Sequence, residues 1–244
     1  MLTRWLGLAV VLPFVGAAFA DLSIISSWPS PAQRPFGVTY DGSYVWVACD
    51  EEGKEFMFKC DPASGSVVSS FKVNTSGLMS CAYDGTYLWV DALDSTLNYY
   101  LYQMTDTGSI LASWKSPLAR TVGVGWDGTY LWLSSYFRVL GWATTAGSLV
   151  GSFATNWVPT GVAFDGHYLW AAEYNQPTIY RLTTVGSLVA SYSFPAGEPW
   201  GLGFDGKYLW VTNKGGTGDV YKAAFGGYPA VAPASLGRVR ALYR

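Results

Sequence analysis

One ten-residue pattern, repeated five times, constrains the fold of this chain more than any other sequence feature. A representative copy is Gly161–Trp170, in which alternating apolar residues precede Asp165-Gly166 and an aromatic-rich run follows. An Asp-Gly pair between apolar runs is a strong hairpin signal, because glycine supplies the positive φ that a tight turn needs. The pattern therefore predicts two short strands joined by a turn.

The pattern returns at nearly constant intervals along most of the chain. Its other copies are Gly37–Trp46, Ser80–Trp89, Gly123–Trp132 and Gly201–Trp210. The five turn aspartates, Asp41, Asp84, Asp127, Asp165 and Asp205, are separated by 43, 43, 38 and 40 residues. Self-similarity with a period of about forty residues indicates an array of equal supersecondary units.

Each repeat continues with two more predicted strands. In one repeat these are Thr178–Leu182 and, after a turn at Thr183–Gly186, Ser187–Phe194. The fourth-strand pattern of Gly-Ser, apolar residues and a closing aromatic recurs at Gly65–Phe71, Gly108–Trp114, Gly147–Phe153 and Gly186–Tyr192. Four short strands in about forty residues are typical of a β-propeller blade.

The two ends of the repeat region complement each other. Leu22–Trp28 resembles a fourth strand without a blade, whereas the last repeat has its third strand at Asp219–Lys222 and no fourth. We predict that the N-terminal strand completes the last blade, which closes the ring and removes open sheet edges. The sequence thus predicts an all-β, five-bladed β-propeller with four antiparallel strands per blade.

The residue types fit this geometry. The first strands, which pack around the central axis, carry small residues at Gly37, Ser80, Gly123, Gly161 and Gly201. The second strands carry the core tryptophans Trp46, Trp89, Trp132, Trp170 and Trp210. We expect each turn aspartate to hydrogen-bond its own turn backbone. Calcium is a poor alternative there, since one carboxylate per turn is far from the six to eight oxygens that it prefers.

The N-terminus predicts export. Arg4 precedes an apolar run over Leu6–Phe19 that ends in Ala18-Phe19-Ala20, an A-x-A-like cleavage site. We interpret residues 1–20 as a signal peptide rather than a membrane anchor because the run is short. The predicted location is secreted, periplasmic or cell-surface, with no transmembrane segment in the mature chain.

The mature chain divides into two predicted parts. Residues 21–225 form the propeller, and residues 226–244 form a Gly-, Pro- and Ala-rich linker and a C-terminal tail with three arginines. The tail is interpreted either as a sorting or anchoring signal or as a solvated chain end.

The composition of the chain restricts the classes of partner that it is expected to bind. Charged residues make up 13% of the chain and the formal net charge is −2, which gives no electrostatic case for nucleic acid or for an anionic membrane. We expect a monomer without a cofactor or metal. The cysteines Cys49, Cys60 and Cys81 predict either one disulfide and a leftover thiol or three small buried residues.

Candidate site residues lie on one face of the predicted ring. The connections between blades and the loops from second to third strands share that face and vary in sequence, whereas the Asp-Gly turns lie on the other. The candidate ligand-binding residues are Arg34, Asp91, Arg120, Trp157, Glu173, Tyr174, Glu198, Trp200 and Asn213. The single histidine, His167, follows an Asp-Gly turn, so neither a Ser-His-Asp triad nor a histidine metal centre is expected.

The blade pattern resembles the NHL, YVTN and streptogramin-lyase-like repeat families of secreted bacterial propellers, over residues 22–225. The resemblance implies a binding scaffold, a lyase or a plant-type glutaminyl cyclase, the last also five-bladed. A streptogramin-lyase-like activity implies a histidine on the varied face, which this chain lacks.

We therefore predict a secreted, non-catalytic recognition module that binds a protein, peptide or glycan over the central channel. Two alternatives stay open. A carboxylate-dependent enzyme, glutaminyl-cyclase-like or lyase-like, predicts that Asp91 and Glu173 share one cavity. A lectin predicts that Trp157 or Trp200 lies flat and exposed beside polar groups.

Overall fold

The computed structural model describes residues 19–51, 53–213 and 218–226, and this part of the chain contains strands and no helix. The first strand is β1 (Phe19–Pro29). Blade 1 consists of β2 (Pro35–Tyr40), β3 (Val45–Glu51), β4 (Lys54–Cys60) and β5 (Val67–Val73). Blade 2 consists of β6 (Ser76–Tyr83), β7 (Leu88–Leu93), β8 (Tyr99–Met104) and β9 (Ile110–Lys115).

The remaining blades follow the same order. Blade 3 consists of β10 (Thr121–Trp126), β11 (Leu131–Ser135), β12 (Val139–Ala143) and β13 (Leu149–Ala154). Blade 4 consists of β14 (Pro159–Phe164), β15 (Leu169–Glu173), β16 (Thr178–Leu182) and β17 (Leu188–Ser193). Blade 5 consists of β18 (Pro199–Phe204), β19 (Leu209–Asn213), β20 (Asp219–Phe225) and β1. The predicted five-bladed, all-β propeller is confirmed.

The N-terminal strand closes the ring as predicted. β1 pairs antiparallel with β20, from Leu22 opposite Phe225 to Pro29 opposite Asp219. Leu22 is buried in a core cluster with residues of blades 4 and 5. The first three residues of β1 also pair in parallel with Ser191–Ser193 of β17, which joins the sheets of blades 4 and 5.

One aspartate closes each Asp-Gly turn and ties it to the second strand. In blade 1, Asp41 Oδ1 accepts the backbone N–H groups of Ser43 and Tyr44, and Asp41 Oδ2 accepts the indole N–H of Trp46 at 2.8 Å. All five turns repeat the indole bond, at 2.7 to 3.1 Å. The predicted bonds to the turn backbone are confirmed, and the bond to the tryptophan adds a link that the sequence pattern did not predict.

Each of these tryptophans packs against the fourth-strand aromatic ring of its own blade. The ring centroids of the five pairs lie 5.2 to 6.3 Å apart: Trp28–Trp210, Trp46–Phe71, Trp89–Trp114, Trp132–Phe153 and Trp170–Tyr192. Four of these fourth-strand rings, those of Trp28, Phe71, Trp114 and Phe153, also touch the glycine before the next blade's fourth strand, as Phe71 touches Gly108, where a Cβ has no room. The same ring therefore fills its own blade and seals the contact with the next.

The inner strands pack closely around the axis, and the central channel is narrow toward the turn face. A Cβ on Gly37 would lie 2.7 Å from the backbone nitrogen of Cys81 in the next blade, so the inner strands approach as closely as glycine allows. Toward the turn face the channel has a volume of about 20 Å³, room for about one water molecule. An organic ligand does not fit into this part of the axis.

The cysteines are separate, buried thiols. Cys49 lies opposite Phe56 and Cys60 lies opposite Val45, so the two side chains are at opposite ends of the hairpin. All three cysteines are free in the structure, and burial raises the pKa of the Cys49 and Cys60 thiols to about 12. They act as small core residues and are poor nucleophiles at neutral pH.

Residues 1–18 and 227–244 lie outside the described residues, and with them most of the predicted signal peptide and nearly all of the predicted tail. Across the described ranges, no helix is long and apolar enough to cross a membrane.

The turn aspartate should be a major source of stability. We expect Asp127→Ala to lower the free energy of unfolding by about 3 kcal/mol, because two turn N–H groups and the buried indole N–H of Trp132 lose a charged acceptor. Urea unfolding followed by tryptophan fluorescence measures this change. The matched control is Thr129→Ala in the same turn, an exposed residue, with an expected effect within about 0.5 kcal/mol. Equal effects of the two substitutions would contradict the assignment.

Candidate functional site

Backbone hydrogen bonds organise the loop face, defined here as the face that carries the blade connections and the loops between second and third strands. The carbonyls of Arg34, Arg120 and Val158 accept backbone N–H groups at or just after the ends of the second strands of blades 1, 3 and 4, at 2.9 to 3.3 Å. The described non-glycine residues with positive φ all lie on this face: Arg34, Leu97, Arg120, Arg138 and Asn175. Such conformations cluster at binding sites, so the loop face is the candidate functional surface.

The two arginines predicted for the site are engaged separately. Arg34 forms an ion pair with Asp50 at 2.8 Å in blade 1. The Arg120 guanidinium lies 5.9 Å from the ring centroid of Phe137 in blade 3. They do not form a joint anion-binding cluster.

Four aromatic side chains from blades 1, 3, 4 and 5 form an aromatic cap, consisting of Phe36, Tyr136, Tyr174 and Trp200. The rings of Tyr136, Tyr174 and Trp200 contact one another edge to face, with centroids 5.4 to 6.3 Å apart, and Phe36 lies 5.5 Å from Trp200. Burial and the nearby tyrosines raise the pKa of Tyr136 to about 12. Trp200 is only 3% exposed, so the cap serves as packing between blades more than as an open platform.

A groove lies between blades 3 and 4, with a volume of about 940 Å³. Trp157, from the connection between these blades, stacks almost parallel on Tyr180 of β16, with centroids 4.2 Å apart and 20° between the ring planes. The hydroxyl of Tyr180 donates to Glu173 Oε2 at 2.8 Å. We call this opening the blade 3–4 groove; its other lining residues include Thr155, Asn156, Gln176, Thr178, Leu182, Leu188 and Ser191.

The chemistry of the groove is aromatic and weakly anionic. Burial and the neighbouring carboxylate of Glu173 raise the pKa of Tyr180, so its phenol stays protonated and keeps donating. Glu173 is the one charged side chain among the groove's lining residues. The side-chain amides of Asn156 and Gln176 add donors and acceptors. The groove can therefore stack a flat ligand and hydrogen-bond its edge.

Asp91 is buried inside the fold and does not line the groove. It is fully buried in β7, where Oδ1 accepts the Thr121 hydroxyl of blade 3 at 3.0 Å and Oδ2 has no hydrogen-bond partner among the described residues. The corresponding position in other blades makes the same kind of contact: Ser134 donates to the carbonyl of Thr160, and Thr212 to that of Phe36. Asp91 thus links neighbouring blades, and burial raises its pKa to about 7.

The structure unites some predicted site residues and separates others. Trp157 and Glu173 meet in the groove, and Tyr174 and Trp200 meet in the cap. Asn213 is buried and donates to the carbonyl of Ala196, while Glu198 and His167 are exposed.

The paired carboxylates of the enzyme alternative do not share a cavity. Glu173 lines the groove, whereas Asp91 is enclosed between blades 2 and 3. No group of three or more His, Cys, Asp or Glu residues in the described ranges is arranged to hold a metal ion.

Sequence reasoning missed Tyr180. Tyr180 alternates with Thr178 and Leu182 along β16, and all three line the groove. That period-2 pattern, with a polar and an aromatic residue at the loop-face end, was the available signal.

Solved structures share this fold. The chain matches the crystal structure of Myxococcus xanthus glutaminyl cyclase with a TM-score of 0.70 at 12% sequence identity, over 86% of this chain and 98% of that one. It also matches the β-propeller domain of Myceliophteria thermophila Cps50 (Swd1), with a TM-score of 0.56 at 12% identity, over 84% of this chain and 99% of that one. The likeness is one of fold. No protein-family model and no curated protein sequence matches the chain.

The buried carboxyl of Asp91 should make stability pH-dependent. Its pKa of about 7 in the folded protein exceeds the ordinary value of 3.8, so between these pH values the folded state holds a proton that the unfolded chain has lost. The free energy of unfolding therefore falls as pH rises through this window. The Asp91→Asn protein has no carboxyl to titrate at this position, so its stability does not fall in this way. It should be the more stable protein at pH 8, by up to about 4 kcal/mol, since each pKa unit corresponds to about 1.4 kcal/mol.

Urea unfolding of both proteins from pH 4 to pH 8 measures the difference. All other titrating groups are common to the two proteins, so the difference between the curves isolates Asp91. Parallel curves across the window would show that this carboxyl stays ionised in the folded state.

Proposed function

We propose that this chain is an exported, non-catalytic recognition module that binds a glycan in the blade 3–4 groove. Export and kinship with NHL- and YVTN-type bacterial repeats remain predictions from the N-terminal segment and the blade pattern. The axis of the ring offers too little space for an organic ligand near the turn face, which favours a site off the axis.

The observation that carries the proposal is the stacked pair of Trp157 and Tyr180, anchored by the bond from Tyr180 to Glu173. A sugar ring has one face of C–H groups and an edge of hydroxyls. Flat aromatic rings pack against such a face, while amides and carboxylates bond the edge. The groove offers both within one opening, since Asn156 and Gln176 line it beside the two rings.

Of the two tryptophans considered as the sugar-stacking residue of a lectin, the geometry favours Trp157. Trp200 is buried in the aromatic cap. Trp157 is partly buried and lines the groove beside polar side chains.

A second candidate is a glutaminyl cyclase activity. It is favoured by the TM-score of 0.70 to a glutaminyl cyclase and by the placement of Glu173, a carboxylate in a groove on the loop face. A carboxylate there could move a proton during ring closure of an N-terminal glutamine with release of ammonia. Incubation with a Gln-initiated peptide, read by mass spectrometry, tests it. Cyclisation that is lost in Glu173→Gln would replace the recognition proposal.

Binding should depend on Trp157. With neutral and amino oligosaccharides as probes in isothermal titration calorimetry, we expect Trp157→Ala to raise the dissociation constant at least about tenfold, which corresponds to about 1.4 kcal/mol. The matched control is Phe137→Ala, which removes a ring that is 60% exposed on the loop face but does not line the groove. Equal losses in both variants, or no binding by the unmodified protein, would refute the proposal.

A further inference from the structure

The length and the charge of the blade 3–4 groove restrict the class of glycan that it can bind. We propose that it binds a linear oligosaccharide of amino sugars, about three or more units long, with an ammonium group beside Glu173. This inference rests on the proposed function, since it names the class of glycan that the same groove takes.

The length of the groove favours a chain over a single sugar. Its lining runs from Trp157 and Glu173 at the loop face, along β16, to Leu182 and Leu188 near the turn face. The five residues of β16 span about 16 Å at about 3.3 Å per residue, roughly three times the length of one sugar ring. A monosaccharide would leave most of this surface empty.

The charge of the groove favours a cation. Glu173 is the one charged residue in the lining, and none of the ion pairs in the described part of the chain involves it. Its Oε2 accepts a neutral phenol, which leaves the negative charge without a positive partner there. Aromatic faces such as those of Trp157 and Tyr180 also attract cations. An acidic sugar is disfavoured for the same reasons.

A sugar fits better than a peptide that carries the same ammonium group. A lysine side chain brings its charge on a flexible stem and loses rotamer freedom on binding. An amino sugar holds its ammonium group rigidly on the ring that stacks. Its remaining hydroxyls match the hydrogen-bonding groups of Asn156, Gln176 and Thr178 along the groove.

The experiment is calorimetric titration of the intact protein with three series of one to six units. The probes are β-1,4-linked glucosamine, N-acetylglucosamine and glucose oligomers. We expect the glucosamine hexamer to bind at least about tenfold more tightly than either neutral hexamer. Affinity should rise up to about three units and then level off. The advantage should vanish when the pH exceeds the pKa of the sugar amine.

Two substitutions separate the contributions. Glu173→Gln keeps the shape and the bond to Tyr180, so it should bind all three hexamers with similar affinity. Trp157→Ala should weaken binding of all three. The control Glu198→Gln removes an exposed carboxylate that does not line the groove, and it should keep the preference for glucosamine. A preference lost equally in Glu198→Gln would reveal unspecific attraction of a polycation and overturn the inference.

The outcomes distinguish the two levels of proposal. Equal affinity for amino and neutral oligomers, lost in Trp157→Ala, would overturn the amino-sugar assignment and leave glycan binding intact. Absence of binding in all three series would overturn both. Binding of a trilysine peptide as tightly as the glucosamine trimer, with the same dependence on Glu173, would assign the ammonium site to a peptide instead.

Discussion

The fold depends on one carboxylate in each blade, because each turn aspartate bonds both its own turn and a tryptophan of the second strand. The bond to the indole, for example from Trp170 to Asp165, fixes the ring where it packs against the fourth-strand aromatic. In four other blades the fourth-strand aromatic in turn packs against a glycine of the next blade, as Phe71 does against Gly108. Local turn chemistry is thereby coupled to contacts between blades.

This coupling constrains the residues of the turn face more than those of the loop face. The turn face carries the repeated aspartates and glycines, so its residues are dictated by packing. The loop face is held largely by backbone hydrogen bonds between connections and loops, as between Tyr174 N–H and the carbonyl of Val158. Exposed side chains there are not part of the contacts that hold the ring. On this face, Trp157 and Glu173 border the groove between blades 3 and 4.

Most of the architecture could be predicted from the sequence because the fold repeats one local pattern. The Asp-Gly spacing gave the number of blades, and the lone strand at Leu22–Trp28 gave the closure. The site was less accessible, since it forms where two blades meet. Trp157, in the connection between blades, stacks on Tyr180, which lies 23 residues later in a third strand. The repeat period of the sequence does not specify that contact. Asp91 is the opposite case. Its place near a strand end predicted a functional carboxylate, but the structure buries it against Thr121, where it links two blades.

The closure of the ring has a consequence for the order of folding. Leu22 pairs with Phe225, so the last blade combines strands from nearly opposite ends of the described chain. Contacts of such long sequence separation carry a large loop-closure entropy and form late. While β20 is still unsynthesised, β1 has no antiparallel partner and the ring stays open. Completion of the ring therefore waits for β20, and a nascent chain remains an incomplete propeller until this strand is available.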